Sequence, residues 1–316
     1  MLKLPLLFNL RSGASAKNPE ALLAGLPPHQ RERIEPIPFG PPWDFSAAIA
    51  QAIEANGPLF VWGGDGTIHH AGRALLDAGC PVPLAAVPGG SGNGLVRGLR
   101  TPLEAAGAVQ RLLEGRELRM DVGRLDGVPF FNLCGTGFEA VVARDFEQGG
   151  SRGFLGYGQR VLSLWRTHQP VGLRWDAVPA PPESPGTLRG RLRKALAGPE
   201  PGLPDEAWSL CIANLPTFGS GFWIAPGASP VDGVLQWARI LRPGLLDVLT
   251  ELPAFFKEGA HASLREEGRL RRAILYLDRP LPWHLDGEPA PERDRAELTV
   301  EPAAFRMQVT GDCPWK

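Results

Sequence analysis

Apolar residues come in short blocks separated by glycine and proline, and the blocks alternate between two kinds of pattern. Residues 4–8, 34–38, 59–62 and 82–87 are runs of mostly apolar side chains, as in strands covered on both faces. Between them, residues 19–26, 45–55, 67–76 and 103–113 repeat apolar positions every three or four residues, which predicts helices with one face on a sheet. Ala48, Ile49, Ala52 and Ile53 form one such stripe, Ile68, Ala71, Gly72, Leu75 and Leu76 another, and Ala106, Val109, Leu112 and Leu113 a third. A further short helix is expected at 95–99. Alternating strands and helices over residues 1–118 predict a Rossmann-like α/β lobe, whose ligands gather beyond the carboxyl ends of the parallel strands.

The pattern changes at about Arg119. Residues 119–125 and 128–133 flank Asp126-Gly127, a strong hairpin signal, and Asp232-Gly233 marks another tight turn. Further strands are predicted at 171–176, 208–213, 234–242, 273–277, 282–285, 297–301 and 305–309, with helices at 154–167 and 245–252. Residues 265–272 read as a charged solvent face, and 177–206, rich in Pro, Gly and Arg, as a long mobile loop. Residues 119–302 are therefore expected to form a C-terminal β-rich sandwich lobe, separated from the first lobe by a cleft.

Composition narrows the class. A chain of 316 residues suits two domains, and its 39 Gly and 33 Pro favour many turns over long helices. A net charge of −1 gives no reason to expect a nucleic-acid partner. Cys80, Cys134, Cys211 and Cys313 are widely spaced with no CxxC pair, which predicts reduced, buried thiols in a cytoplasmic protein. The apolar run at the start is short and lacks a small-residue cleavage site, so it is expected to be a strand, and no stretch is long enough for a transmembrane segment.

The chemistry is concentrated in two glycine turns. Gly63-Gly64-Asp65-Gly66-Thr67 follows the strand at 59–62, and Pro88-Gly89-Gly90-Ser91-Gly92-Asn93-Gly94 follows the one at 82–87. Turns of this kind expose backbone N–H groups beside the positive end of a helix, where phosphate oxygens are favoured. Asp65 is out of place among groups suited to anions. Its uses are a bound Mg²⁺ or acceptance of a hydroxyl proton, unless the turn is an ordinary strand-to-helix connection. Ser91 and Asn93 offer a hydroxyl and an amide to phosphate, ribose or a substrate hydroxyl, with a cap on the helix at Leu95 the alternative for Asn93. Asp286-Gly287-Glu288 is a hairpin turn with an acid at each end.

Together these motifs resemble the diacylglycerol kinase catalytic-domain family, lipid kinases that include bacterial diacylglycerol kinases and sphingosine kinases. The matching residues are 9–13, 63–67, 88–93, Asp121-Val122-Gly123 with Phe131-Asn132, Gly135-Thr136-Gly137-Phe138, Asn214 with Gly219-Ser220-Gly221, Ala225-Pro226 through Asp232-Gly233, and Asp286-Gly287-Glu288, in the family's order. The resemblance implies an NAD kinase/diacylglycerol kinase-like fold that binds ATP in the cleft and passes its γ-phosphoryl group to a lipid hydroxyl. ATP contacts would fall on Asn9, Arg11, Ser12, Gly13, Gly64, Asp65, Gly66, Thr67, Gly90, Ser91 and Asn93. Asp65 would join a Mg²⁺–water network, and a second, structural Mg²⁺ would fall at Ser229, Asp232 and the backbone carbonyl of Val234. Glu288 would accept the hydroxyl proton ahead of Asp65, with Asp286 holding Glu288 or a metal. Residues 303–316 would return to complete the first lobe.

The resemblance also implies a lipid substrate presented at a membrane surface, hence a cytoplasmic protein peripheral to the inner face of the membrane. A homodimer is left open. Two departures stand out: His69-His70 replaces the Asn-Glu of many members, and Gly94 stands where many bacterial members carry Asp. The histidines read as exposed helix residues and Gly94 as a lost acidic link, so a catalytically weak nucleotide-binding regulator of the same fold is one alternative. NAD kinase, which shares GGDGT, is another.

Overall fold

The computed structural model describes residues 2–9, 18–147, 163–179, 203–244, 247, 250–258, 260 and 262–316. The first lobe contains β1 (Leu4–Asn9), α1 (Pro19–Ala24), α2 (Pro28–Arg31), β2 (Ile34–Phe39), α3 (Ser46–Glu54), β3 (Leu59–Gly63), α4 (Asp65–Asp77), β4 (Leu84–Pro88), α5 (Gly94–Gly98) and α6 (Ala105–Leu113). Its strands are parallel in the order β2-β1-β3-β4. β3 is apolar throughout because both of its faces are covered. Leu59 and Val61 pack with Ile68, Ala71 and Leu75 of α4, while Phe60 and Trp62 pack with Ala108, Val109 and Leu112 of α6. Burying one such large side chain contributes about 1.5–3 kcal/mol, so helices on both faces are what make this strand stable.

The chain passes from β1 outward to β2 and then back across β1 to β3. The crevice where that order reverses opens at Asn9 and at the Gly63-Gly64 turn, the place where such sheets bind ligands.

The second lobe contains β5 (Arg116–Leu125), β6 (Val128–Phe130), β7 (Leu133–Gly137), α7 (Phe138–Glu147), β8 (Val171–Pro179), β9 (Glu206–Ala207), β10 (Ser209–Ala213), β11 (Leu235–Ile240), β12 (Arg265–Leu285) and β13 (Glu288–Val309). β11, β10, β7 and β12 are antiparallel neighbours, and β12 also pairs with β11, so this part of the sheet closes on itself. Trp237, Trp283, Leu210, Ile212 and Leu275 fill its interior.

Several expectations are corrected. The predicted solvent face at 265–272 is the first part of a 21-residue strand, and Arg265 is buried with its guanidinium on Glu267 and on the carbonyls of Trp223 and Ala260. The separate strands predicted at 297–301 and 305–309 belong to one 22-residue strand. Its register shifts between Glu301 and Phe305, where Ala303 has φ 52°. Part of the predicted loop is ordered: β8 extends to Pro179, and β9 pairs with Val171 and Gly172. The rest of that loop, most of the helix predicted at 154–167 and much of that at 245–252 lie outside the described residues. Helix α7 has no counterpart in the sequence reading.

β13 joins the lobes. Its start forms a hairpin with β12, and its end, Phe305, Met307 and Val309, enters the first lobe's core, where Met307 pairs with Leu84. Cys313 lies in the same core, and Arg111 is paired with Asp312. All four cysteines are free and buried. Among the described residues no helix is long and apolar enough to cross a membrane.

Candidate active site

The two glycine turns face each other at the switch point of the sheet. A Cβ on Gly90 would lie 2.7 Å from the Cα of Gly64, so the turns meet backbone to backbone. Asn9, at the end of β1, donates from Nδ2 to Thr67 Oγ1 at 2.8 Å and ties the first strand to the start of α4. The second turn is shaped by Asn93, whose backbone is left-handed at φ 53°. Its Oδ1 accepts from the N–H of Gly90 at 3.0 Å and its Nδ2 donates to the Gly90 carbonyl at 2.8 Å. The amide is therefore spent inside its own loop and does not cap α5. Ser91 is exposed at the loop tip. Arg11, Ser12 and Gly13 lie outside the described residues.

Asp65 opens α4 under the second turn. Its Oδ1 accepts from the Gly94 N–H at 2.7 Å, and a Cβ on Gly92 would stand 2.7 Å from its Oδ2. Burial is the main cause that pushes its carboxyl above the ordinary aspartate value; the Gly94 N–H opposes this and nearby Asp286 adds to it. Gly94 is thus a working part of the site. A Cβ there would meet Asn132 Nδ2 at 2.6 Å and Gly219 N at 3.3 Å. Gly94→Asp is expected to displace the loop and to cost about 1–3 kcal/mol of stability, read from urea denaturation; an unchanged midpoint would show that the loop tolerates the side chain.

The acids of the second lobe meet this turn from the other side. Asp286, in the turn after β12 with φ 52°, is buried. Its carboxylate accepts from the N–H groups of Phe131 at 2.9 Å, Asn132 at 2.7 Å and Leu133 at 3.1 Å, and from His69 Nδ1 at 2.8 Å. The expectation that Asp286 holds Glu288 or a metal is corrected: it holds the 131–133 backbone and His69. The exposed-histidine reading is corrected with it. His69 is 4 % exposed, and His70 is half-buried with its ring stacked on Trp43, centroids 5.0 Å apart. Burial holds the His70 imidazole below its ordinary value, and Glu288 partly opposes that. Glu288 lies on the first turn itself, since a Cβ on Gly66 would collide with its Oε1. Glu288 pairs with Leu285 through the backbone, and among the described residues its carboxylate makes no hydrogen bond.

The residues expected to hold a structural Mg²⁺ do not fit that role. Asp232 Oδ2 pairs with Arg269 at 2.8 Å, and its Oδ1 accepts from the Val234 N–H at 3.2 Å. A guanidinium already supplies the positive charge, and Ser229 is half-buried. No group of three or more metal-binding side chains occurs among the described residues. Asp121 of β5 fastens the Asp232-Gly233 turn to β13: its carboxylate accepts from the N–H groups of Gly233 at 2.7 Å and Ala303 at 2.8 Å.

Residues 3–125 match the diacylglycerol kinase catalytic domain, and residues 191–309 match the YegS C-terminal NAD kinase beta sandwich-like domain. Residues 3–125 therefore carry a diacylglycerol kinase catalytic domain. It is 26% identical to a Pseudomonas fluorescens protein named "Probable lipid kinase YegS-like", over 86% of this chain and 84% of that one. It is also 26% identical to a Mycobacterium tuberculosis protein named "Diacylglycerol kinase", over 83% of this chain and 79% of that one. A crystal structure of a diacylglycerol kinase from Bacillus anthracis superposes with a TM-score of 0.67 at 19% identity, covering 98% of each chain. That likeness establishes the fold, an N-terminal α/β lobe with a C-terminal β-sandwich domain, and the family matches are those of lipid kinases.

The sequence therefore named Asn9, Gly64, Asp65, Gly66, Thr67, Gly90, Ser91, Asn93, Asp286 and Glu288 from four separate stretches, and the fold gathers them around one pair of turns. It missed the partner of Asp286. The signal was available in His69, a histidine in the apolar stripe of a helix whose neighbours Ile68 and Gly72 face the core.

Proposed function

We propose that the protein is an ATP- and Mg²⁺-dependent lipid kinase that transfers the γ-phosphoryl group to a hydroxyl of a diacylglycerol-like or sphingoid acceptor. The observation that carries this reading is the meeting of two carboxylates from different lobes on one glycine turn: Asp65 beneath the second loop and Glu288 against Gly66. Phosphoryl transfer asks for positioning and charge neutralisation, plus a group that takes the hydroxyl proton.

The phosphates would lie along the facing turns, where Gly64, Gly90 and Gly92 leave room that a Cβ would fill. Asp65 would hold Mg²⁺ through water, and the ion when bound offsets phosphate charge. The acceptor oxygen attacks the γ-phosphorus as the bond to the bridging oxygen breaks, and ADP leaves with that oxygen. The hydroxyl proton passes to Glu288. Glu288 ranks ahead of Asp65 as acceptor because Asp65 already accepts from Gly94, whereas the Glu288 carboxylate has no hydrogen-bond partner among the described residues. A lipid acceptor makes a membrane surface the place of work, with the protein peripheral to it.

The test is transfer of label from γ-labelled ATP to a total lipid extract. Label in lipid is expected. Binding of ATP with no labelled lipid would favour a catalytically weak regulator, and NADP formed from NAD would favour a NAD kinase; either result overturns the proposal.

A further inference from the structure

We infer that Glu139 and His284 form a polar subsite beside the transfer site that selects acceptor lipids with a second hydrogen-bond donor next to the hydroxyl that is phosphorylated. This inference rests on the lipid-kinase reading and extends it to the acceptor.

His284 lies on β12 two residues before Asp286, and its side chain is 1 % exposed. Among the described residues neither of its ring nitrogens has a hydrogen-bond partner. Its Nε2 stands 3.8 Å from Glu139 Oε1, too far for a hydrogen bond. Glu139 sits in the first turn of α7 with its side chain 20 % exposed. Its Oε1 accepts from Cys211 Sγ at 3.7 Å, and its Oε2 is buried without a hydrogen-bond partner among the described residues. Buried polar atoms are almost always paired, and leaving them unpaired is costly. An imidazole and a carboxylate left so on facing elements point to a missing ligand group.

The wall behind them is bare backbone. A Cβ on Gly135 would lie 2.7 Å from Glu139 Oε1 and 2.8 Å from His284 Nε2, so any side chain there would collide with both groups. Burial holds the Glu139 carboxyl above its ordinary value, with His284 partly opposing, as expected where solvent is largely excluded.

Position ties this pair to the reaction. The ring of Phe218 stands edge-on to His284 with centroids 5.7 Å apart. The next residue, Gly219, approaches Gly92 so closely that a Cβ would lie 3.0 Å from its Cα, and Gly92 backs Asp65 Oδ2. Across the hairpin, His284 pairs with Pro289, the neighbour of Glu288. One continuous wall therefore runs from His284 past Phe218 and Gly92 to Asp65.

The chemistry of the pair defines the ligand group. An ionised carboxylate only accepts hydrogen bonds, and a neutral imidazole has one accepting nitrogen, so the complement is a hydroxyl or an ammonium. A 1-monoacylglycerol or a sphingoid base carries such a donor beside the reacting hydroxyl. A 1,2-diacylglycerol does not, because its neighbouring oxygen is esterified. A site built to pair a donor rejects the analogue lacking it by a large factor.

The experiment measures kcat/KM of the full chain with ATP and Mg²⁺ for 1-monoacylglycerol, a sphingoid base, 1,2-diacylglycerol and a simple long-chain alcohol in matched mixed micelles. At least one two-donor acceptor is expected to exceed both single-hydroxyl acceptors by about tenfold or more, mainly through KM. Glu139→Gln should shrink that preference to within about threefold. A steeper loss for the sphingoid base than for the monoacylglycerol identifies the donor as an ammonium, and equal losses identify it as a hydroxyl. Wild-type protein that uses diacylglycerol as well as the two-donor lipids overturns the inference while leaving the kinase reading intact. So does a Glu139→Gln variant that slows all acceptors alike. Absence of label in every lipid overturns the kinase reading itself. The wild-type comparison decides the matter even where the variant fails to fold.

Discussion

Glu288→Gln is expected to lower phosphoryl transfer about 10²- to 10⁴-fold, the range for losing a positioned proton acceptor, with the KM for ATP changed less than about threefold. The substitution keeps the side chain's size and removes only its ability to take a proton. A second variant tests the geometry without touching the carboxylate. A Cβ on Gly66 would collide with Glu288 Oε1, so Gly66→Ala must push that carboxylate off the turn. The loss in kcat should approach that of Glu288→Gln, and the double variant should be little worse than either alone, because both remove the same contribution. Steady-state kinetics on the two single variants and the double variant measure this. Full activity in Glu288→Gln would take Glu288 out of the mechanism and leave Asp65 as the acceptor. Losses that multiply in the double variant would mean that Gly66 matters for another reason, such as nucleotide approach.

What the sequence disclosed was local. The strand at β3, the turns on either side of Asp65 and the Asp126-Gly127 hairpin are each specified by a few adjacent residues, and all stand as expected. What it hid was pairing across long separations. β12 and β13 read as several short strands because β12 faces different neighbours along its length, β11 first, then β8, then β7, so its apolar alternation is interrupted. The register shifts near Tyr276–Leu281 and Glu301–Phe305 break the period further. Arg265 looked solvent-facing because its acceptors lie on a neighbouring residue and on distant carbonyls. The same limit governed the site. Asp232 looked open to a metal because its counter-charge, Arg269, is 37 residues away, and His69 looked exposed because Asp286 is 217 residues away. Gly94 looked like a loss until Asn132 and Gly219 appeared beside it.

The second large effect is expected at Asp286. Its carboxylate satisfies the N–H groups of Phe131, Asn132 and Leu133 together with His69 Nδ1, in a place where water does not reach. Asp286→Ala leaves these donors without an acceptor, and removing a buried charged acceptor of this kind costs about 3–5 kcal/mol of folding free energy. Asp286→Asn is the sharper probe. An amide oxygen at Oδ1 still serves Asn132 and Leu133, but an amide nitrogen at Oδ2 would point at the Phe131 N–H, so about 2 kcal/mol should be lost. The chemistry should suffer as well, since Glu288 follows two residues later in the same hairpin and His69 lies one turn along α4 from Asp65. Urea denaturation of His69→Ala, Asp286→Asn and the double variant should show a coupling of about 1 kcal/mol or more, with kcat falling about tenfold in each single variant. Additive free energies within about 0.5 kcal/mol would reduce the pair to a contact without consequence. Coupling with an unaltered kcat would make it a fastening between the lobes that Glu288 does not need. Loss of both together is the result expected if this pair sets the distance between the nucleotide turn and the proton acceptor.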